Sequence, residues 1–348
     1  PMSHSRVLLC RAAIFLLCAA CADTNAPAPE PTEALLVVNS TANTLSIVPV
    51  DNPAAGVQVQ LGGTTPTPVG VSAFGRTAIV PLGLDNAVAV VDLIDAAVTR
   101  LVPLPDNSGA TGSAIVDDSI AFVANPNLNS VSRINYLTGA TTEKDVGVYP
   151  EGIVYARGRI FVLNGNLDAT FSPAGPSWIT VLDPSANTVL DSLPLTGPGN
   201  AGYGVLGGDG LLYVMNSGSF FSGEGRLSIV DPVGLTEMAS FAGLGTGPGN
   251  VATDGLSRIY ISSFAEGLME FDTEANQVLH GAGTGIAIPG NSGVAVDSKG
   301  RIYALESGPC QGGQPGKAHV LDSALVQKST ITLGECPSGA VTVRIPPA

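Results

Sequence analysis

Basic residues are scarce in this chain: 15 lysines and arginines stand against 29 aspartates and glutamates among 348 residues, a formal net charge of −14. A surface of that sign repels phosphate backbones and anionic headgroups, which argues against nucleic acid and against electrostatic docking on lipid. Charged residues of either sign make up only 13% of the chain, while glycine and proline number 43 and 26. Such a composition belongs to a turn-rich β protein rather than a disordered one. Long apolar runs are missing too. The stretch from Ala12 to Ala20 is too short to span a bilayer.

That stretch follows a polar segment carrying His4, Arg6 and Arg11, so residues 1–20 read as an export signal. It ends Cys18-Ala19-Ala20-Cys21, which resembles a bacterial lipoprotein box and implies a diacylated Cys21 at the mature N-terminus. A competing cut after Ala22 would discard that cysteine. Ala22 in place of Asp points to the outer membrane by analogy with enteric sorting, facing either the periplasm or the outside. Residues 21–33 form a Pro-rich tether about 30 Å long, and 34–348 form the folded domain. Without Arg6 and Arg11 the 15 basic residues fall to 13 and the net charge moves from −14 to −16.

Within 34–348 one phrase returns seven times. Its anchor is a short apolar run: Leu36-Val37-Val38-Asn39, Ala78-Ile79-Val80-Pro81, Phe122-Val123-Ala124-Asn125, Phe161-Val162-Leu163-Asn164, Tyr213-Val214-Met215-Asn216, Tyr260-Ile261-Ser262-Ser263 and Tyr303-Ala304-Leu305-Glu306. After each anchor come an alternating run closing on Asp or Asn, a more polar run, a Gly/Pro loop and a further apolar run. Four period-two segments per repeat predict four-stranded blades, and seven repeats of 39 to 52 residues predict an all-β, seven-bladed propeller. The first repeat lacks an innermost strand, and the run 339–343 is surplus at the other end. Pairing that run into the first blade closes the ring and removes two free sheet edges.

The repeat resembles the YVTN family of extracytoplasmic propellers, whose blades carry Tyr-Val-x-Asn, Val-x-Val-Ile-Asp and a Gly-x-x-Pro loop. The best match is Tyr213-Val214-Met215-Asn216 with Leu227-Ser228-Ile229-Val230-Asp231. Blades 2, 6 and 7 lose the anchor asparagine. The resemblance implies a surface or periplasmic protein and names no ligand.

Cys310 falls in the loop between the second and third strands of blade 7, and Cys336 in the loop entering the closing strand. Loops of these two types share one face, so in an oxidising compartment the thiols should pair. The same face receives the longest insertions, 165–177, 217–225 and 307–317, where binding is expected. Candidate contacts there are Glu151, Asn164, Asn166, Asp168, Phe171, Phe220, Phe221, Glu224 and Glu306, with Trp178 expected in the core. Asn164, Asn166 and Asp168 alternate like the start of a calcium loop, but that loop's later glycine and bidentate glutamate are missing. No cofactor is expected. The anchor asparagines are expected to cap turns, with a ring of amides at the channel mouth as the alternative. Gly202-Tyr203-Gly204-Val205-Leu206-Gly207 matches a dinucleotide pattern but leads into a strand, not a helix.

His280 falls on an outer strand and His319 on a third strand, so neither should face the axis, and the inner strands read as Val, Ala, Gly and Ser with Glu151 as their single carboxylate. The expectation is a non-catalytic, membrane-tethered, monomeric binding or scaffolding module of the bacterial envelope. Its ligand or protein partner would meet the loop-rich face. The alternative is a lyase or lactonase-like enzyme using Glu151, Glu224 or Glu306 at the channel mouth.

Overall fold

Consecutive apolar residues, largely β-branched or aromatic, in most anchor runs suit a pleated strand buried on both faces. The computed structural model describes residues 30–347, so the expected export signal, Cys21 and most of the expected tether lie outside the described residues. The described chain forms seven antiparallel sheets of four strands. Blade 4 shows the plan: inner strand Pro150–Ala156, second strand Arg159–Asn164, third strand Trp178–Asp183 and outer strand Thr188–Pro194. The hairpin Arg157-Gly158 has φ of 51° and 74°, the left-handed pair that a two-residue turn between twisted strands demands.

The C-terminal strand closes the ring as expected. Pro337–Ile345 pairs antiparallel with Thr32–Asn39, from Thr32 opposite Ile345 to Asn39 opposite Pro337, completing a sheet with Thr44–Pro49 and Val57–Gln60. At the far side of this junction Lys299 and Arg301 of blade 7 both bind Asp51 of blade 1.

The core lies between blades rather than inside any one. Phe161, Leu163, Ile179 and Val181 of blade 4 pack on Leu212 and Val214 of blade 5. Tyr213, Met215 and Leu227 in turn pack on Ile259, Ile261 and Phe271 of blade 6. The anchor aromatics Phe122, Phe161, Tyr213, Tyr260 and Tyr303 are among the largest fully buried side chains, each worth about 1.5–3 kcal/mol of apolar burial. Two of the phenols satisfy their hydroxyls nearby: Tyr213 donates to Asp209 at 2.7 Å and Tyr303 to Asp297 at 2.8 Å.

The aspartates closing the third strands have a local task. Asp183 accepts the backbone N–H groups of Ser185 and Ala186 and the Ser185 hydroxyl, an Asx turn that redirects the chain. These bonds hold its carboxyl below the usual range. The anchor asparagines do something other than either expectation for them. They are fully buried and reach sideways to hydroxyls of the third strand: Asn39 to Thr44 and Ser46, Asn125 to Ser130 and Ser132, Asn164 to Thr180, Asn216 to Ser228. They are cross-strand ties, not turn caps and not an amide ring at the channel mouth. Proximity of hydroxyls on the neighbouring strand is a pairing fact that the tetrapeptide does not contain.

Candidate functional site

Inner strands start at the loop-rich face and run down the central channel. Strand pairing sets equivalent positions: Gly152 lies opposite Leu163, Tyr203 opposite Met215, Gly293 opposite Leu305 and Gly339 opposite Val38. In blade 3 the matching residue is Gly112, whose carbonyl accepts from Ala124 N–H. Blade 2 has Gly70, two residues ahead of the paired Ser72, and blade 6 has Asn250, inside the bulge between Pro248 and Val251. One channel level is therefore Gly in five blades, and Tyr203 and Asn250 in the two that adjoin, blades 5 and 6.

The glycines are there because inner strands approach one another closely. A Cβ on Gly112 would fall within 3.0 Å of the Glu151 carbonyl, one on Gly152 within 3.0 Å of Gly202 O, and one on Gly339 within 3.0 Å of Val69 O. On Gly70 and Gly293 the contacts would be 3.2 and 3.3 Å, to Thr111 O and Ser338 O. Real Cβ atoms do not sit under 3.0 Å from backbone. Where Tyr203 and Asn250 replace glycine, the strands leave room for side chains.

That sector holds the polar chemistry. The channel cavity, about 200 Å³, is bordered by Glu151, Tyr203 and Asn250 among the glycines. Glu151 and Tyr203 also border an outer cavity of about 190 Å³, continuous towards the loop-rich face, with Phe220, Phe264, Asn200 and Asn291. No Lys, Arg or His lines either. Tyr203 keeps 41% of its surface open and borders both cavities. Burial raises its hydroxyl to about 12, helped by the Glu151 charge. Burial alone pushes the Glu151 carboxyl up to about 7. Asn250 Oδ1 accepts the N–H of Val294, which ties blade 6 to blade 7. Asn291 is 1% exposed, and neither its Nδ2 nor its Oδ1 has a hydrogen-bond partner.

The expected contact residues separate into three groups. Glu151 and Phe220 reach the mouth. Phe171, Phe220 and Phe221 are exposed, Phe221 by 95%, and Phe171 meets Tyr149 edge-on at 5.8 Å. The remainder are occupied elsewhere. Asn164 is fully buried; Asn166 donates to Pro176 O; Asp168 accepts from Thr170 and Ser172 of its own turn. Each of those three side chains is engaged in contacts of its own, and among the described residues no group of three His, Cys, Asp or Glu is arranged for a metal. Glu224 is exposed and accepts the Ser222 hydroxyl at 2.6 Å. Glu306 binds His319 at 2.7 Å and lines neither cavity. The three glutamates are thus not brought together, and Trp178 is half-buried. Cys310 and Cys336 do form a disulfide, Cα to Cα 4.6 Å.

Tyr203, Asn250, Phe264 and Asn291 were not among the residues expected at the site. Aligning the seven inner runs on their shared glycine would have exposed Tyr203 and Asn250 as the exceptions. Phe264 and Asn291 carry no comparable mark, because their neighbours at the mouth come from other blades.

Together these features define a seven-bladed β-propeller with a one-sided polar and aromatic site at its channel mouth. Its structure is similar to a chain of Kuenenia stuttgartiensis hydrazine synthase, with a TM-score of 0.64 at 15% identity over 80% of this chain and 90% of that one. At that identity the likeness is one of fold. No protein-family model matches the sequence, and no curated protein does.

Proposed function

We propose that this chain is a non-catalytic binding or scaffolding propeller of the bacterial cell envelope, held to the outer membrane by a lipid on Cys21, and that its loop-rich face captures the ligand or partner. The observation that carries this reading is the rim of that face: Phe171, Phe220, Phe221 and Phe264 are 56, 59, 95 and 66% exposed around or beside a polar mouth. Exposed aromatics clustered beside a concavity are the usual composition of a contact surface. The Cys310–Cys336 disulfide suits an oxidising compartment, in keeping with the resemblance to YVTN-type propellers.

Shortening loops 165–177 and 217–225 tests it. Both lie between strands, so the blades should persist, and in-cell cross-linking should lose its envelope adduct in both variants while thermal stability holds. An adduct unchanged by both deletions, or a hydrolase or lyase turnover abolished by Glu151→Gln, refutes the reading. The anchor is checked by intact mass of membrane-extracted protein, where a chain starting at Asp23 without lipid counts against it.

A further inference from the structure

The break in the glycine ring is asymmetric in charge as well as in shape. Glu151 is the single carboxylate lining the channel and outer cavities, and no basic side chain lines either. Its depressed tendency to ionise has burial as the whole cause, with no donor offsetting it. Glu151 is half-buried, and a carboxyl so placed without a donor or counter-charge is costly to keep ionised. Beside it stand the ring of Tyr203 and, outward, Phe220 and Phe264. Asn291 adds a buried amide, 1% exposed, with both polar atoms unpartnered, and it borders the same outer cavity. Other described side chains leave a single buried atom unpartnered, whereas Asn291 does so with both donor and acceptor, which leaves its whole amide open to a partner.

We propose that the channel mouth is a site for a small organic cation, an ammonium that also carries a hydrogen-bonding group. The cation neutralises Glu151, its alkyl surface lies against Tyr203, Phe220 and Phe264, and its hydroxyl or N–H meets the free amide of Asn291. This rests on the binding-module reading and gives it a ligand class. Cation–π attraction and ion pairing reinforce each other once water is excluded. A divalent metal fits worse, because it takes six or more oxygens and a single carboxylate lines the site. A neutral polyol can hydrogen-bond Glu151 but leaves it without a counter-charge. Cavities of about 200 and 190 Å³ are below the roughly 300–1,000 Å³ of drug-sized pockets, which suits a small ion. The net charge of −14 draws cations towards the protein generally.

The titratable groups that feel Glu151 are Tyr149, preceding it by two residues, and Tyr203 from the next blade, both raised and both neutral through pH 8. Blade 3 offers Thr111, whose hydroxyl donates to the Glu151 backbone carbonyl, and Gly112. Cation affinity should therefore follow ionisation of Glu151, rising as pH goes from 6 to 8.

The experiment is calorimetry on the full chain with choline chloride, its uncharged isostere 3,3-dimethylbutan-1-ol, and calcium chloride, at constant ionic strength. Choline is expected to bind one to one, at least tenfold tighter than the isostere, and tighter at pH 8 than at pH 6. Glu151→Gln should cost tenfold or more for choline and leave the isostere unchanged. Gly202→Ala keeps the acid but places a Cβ 2.7 Å from its Oε2, and should weaken choline similarly by pushing the carboxylate aside. Equal binding of the isostere, displacement of choline by calcium, or an unaltered choline affinity in Glu151→Gln overturns the proposal. Absence of choline binding in a chain whose cross-linked adduct still depends on the two loops overturns the cation inference alone and leaves the binding module standing.

Discussion

Gly112→Ala adds a single methyl group, yet the ring geometry makes it a severe change. The new Cβ would meet the Glu151 carbonyl and the Gly152 Cα at 3.0 Å or less, and ordinary contact begins near 3.4 Å. Both obstacles are backbone of an inner strand, so relief requires blades 3 and 4 to separate by a large fraction of an ångström along a packed interface. Overpacking of this kind costs about 1–3 kcal/mol. Gly249→Ala is the matched control. It sits at the same mouth, has no left-handed φ, and its Cβ would find Ser262 Oγ at 3.5 Å and Tyr203 Cε2 at 3.8 Å. That site should tolerate alanine, with a gain of about 0.4–1 kcal/mol from a stiffer unfolded chain. A domain this size shifts its midpoint by only about 1.5 °C per kcal/mol, so urea titration at fixed temperature is the better assay, with ΔΔG read from the midpoint and slope. Equal stability of the two variants would refute the account of why glycine fills this ring.

Two further perturbations test other contacts. Replacing Cys310 and Cys336 with Ser opens a loop of sequence separation 26 and should lower stability by about 3 kcal/mol; non-reducing peptide mapping should find the pair linked in the parent, and alkylation of both without reductant would contradict the bond. Asp297→Ala strips a fully buried carboxylate from Arg301 and Tyr303 and should cost about 3–5 kcal/mol, whereas Lys299→Ala, at an exposed pair, should cost under about 1 kcal/mol; equilibrium unfolding compares them, and equal losses would contradict the burial argument.

The blade count, the closing strand and the disulfide were legible because each depends on period and loop order, which a linear pattern carries. The turn at Asp183 is equally local, since its partners are two and three residues away. Asn164 was misread because its role is set by Thr180 on another strand. Glu151 stood out as a lone acid, but its setting depends on Tyr203 and Asn291, which reach the mouth from blades 5 and 7. Loop residues such as Glu224 looked equivalent to it on paper because exposure and chemical type say nothing about which loop leans over the axis.

The pairing of Pro337–Ile345 with Thr32–Asn39 also orders events in time. A chain delivered from its N-terminus presents the Thr32–Asn39 strand about 300 residues before the segment that covers it. Through that interval the hydrophobic run Leu35-Leu36-Val37-Val38 borders an unfilled strand position, the kind of edge that recruits neighbouring chains. Maturation on that route passes a stage with six blades completable and the first one still lacking its inner strand, and the Cys310–Cys336 bond then holds the loop leading into the closing strand to blade 7.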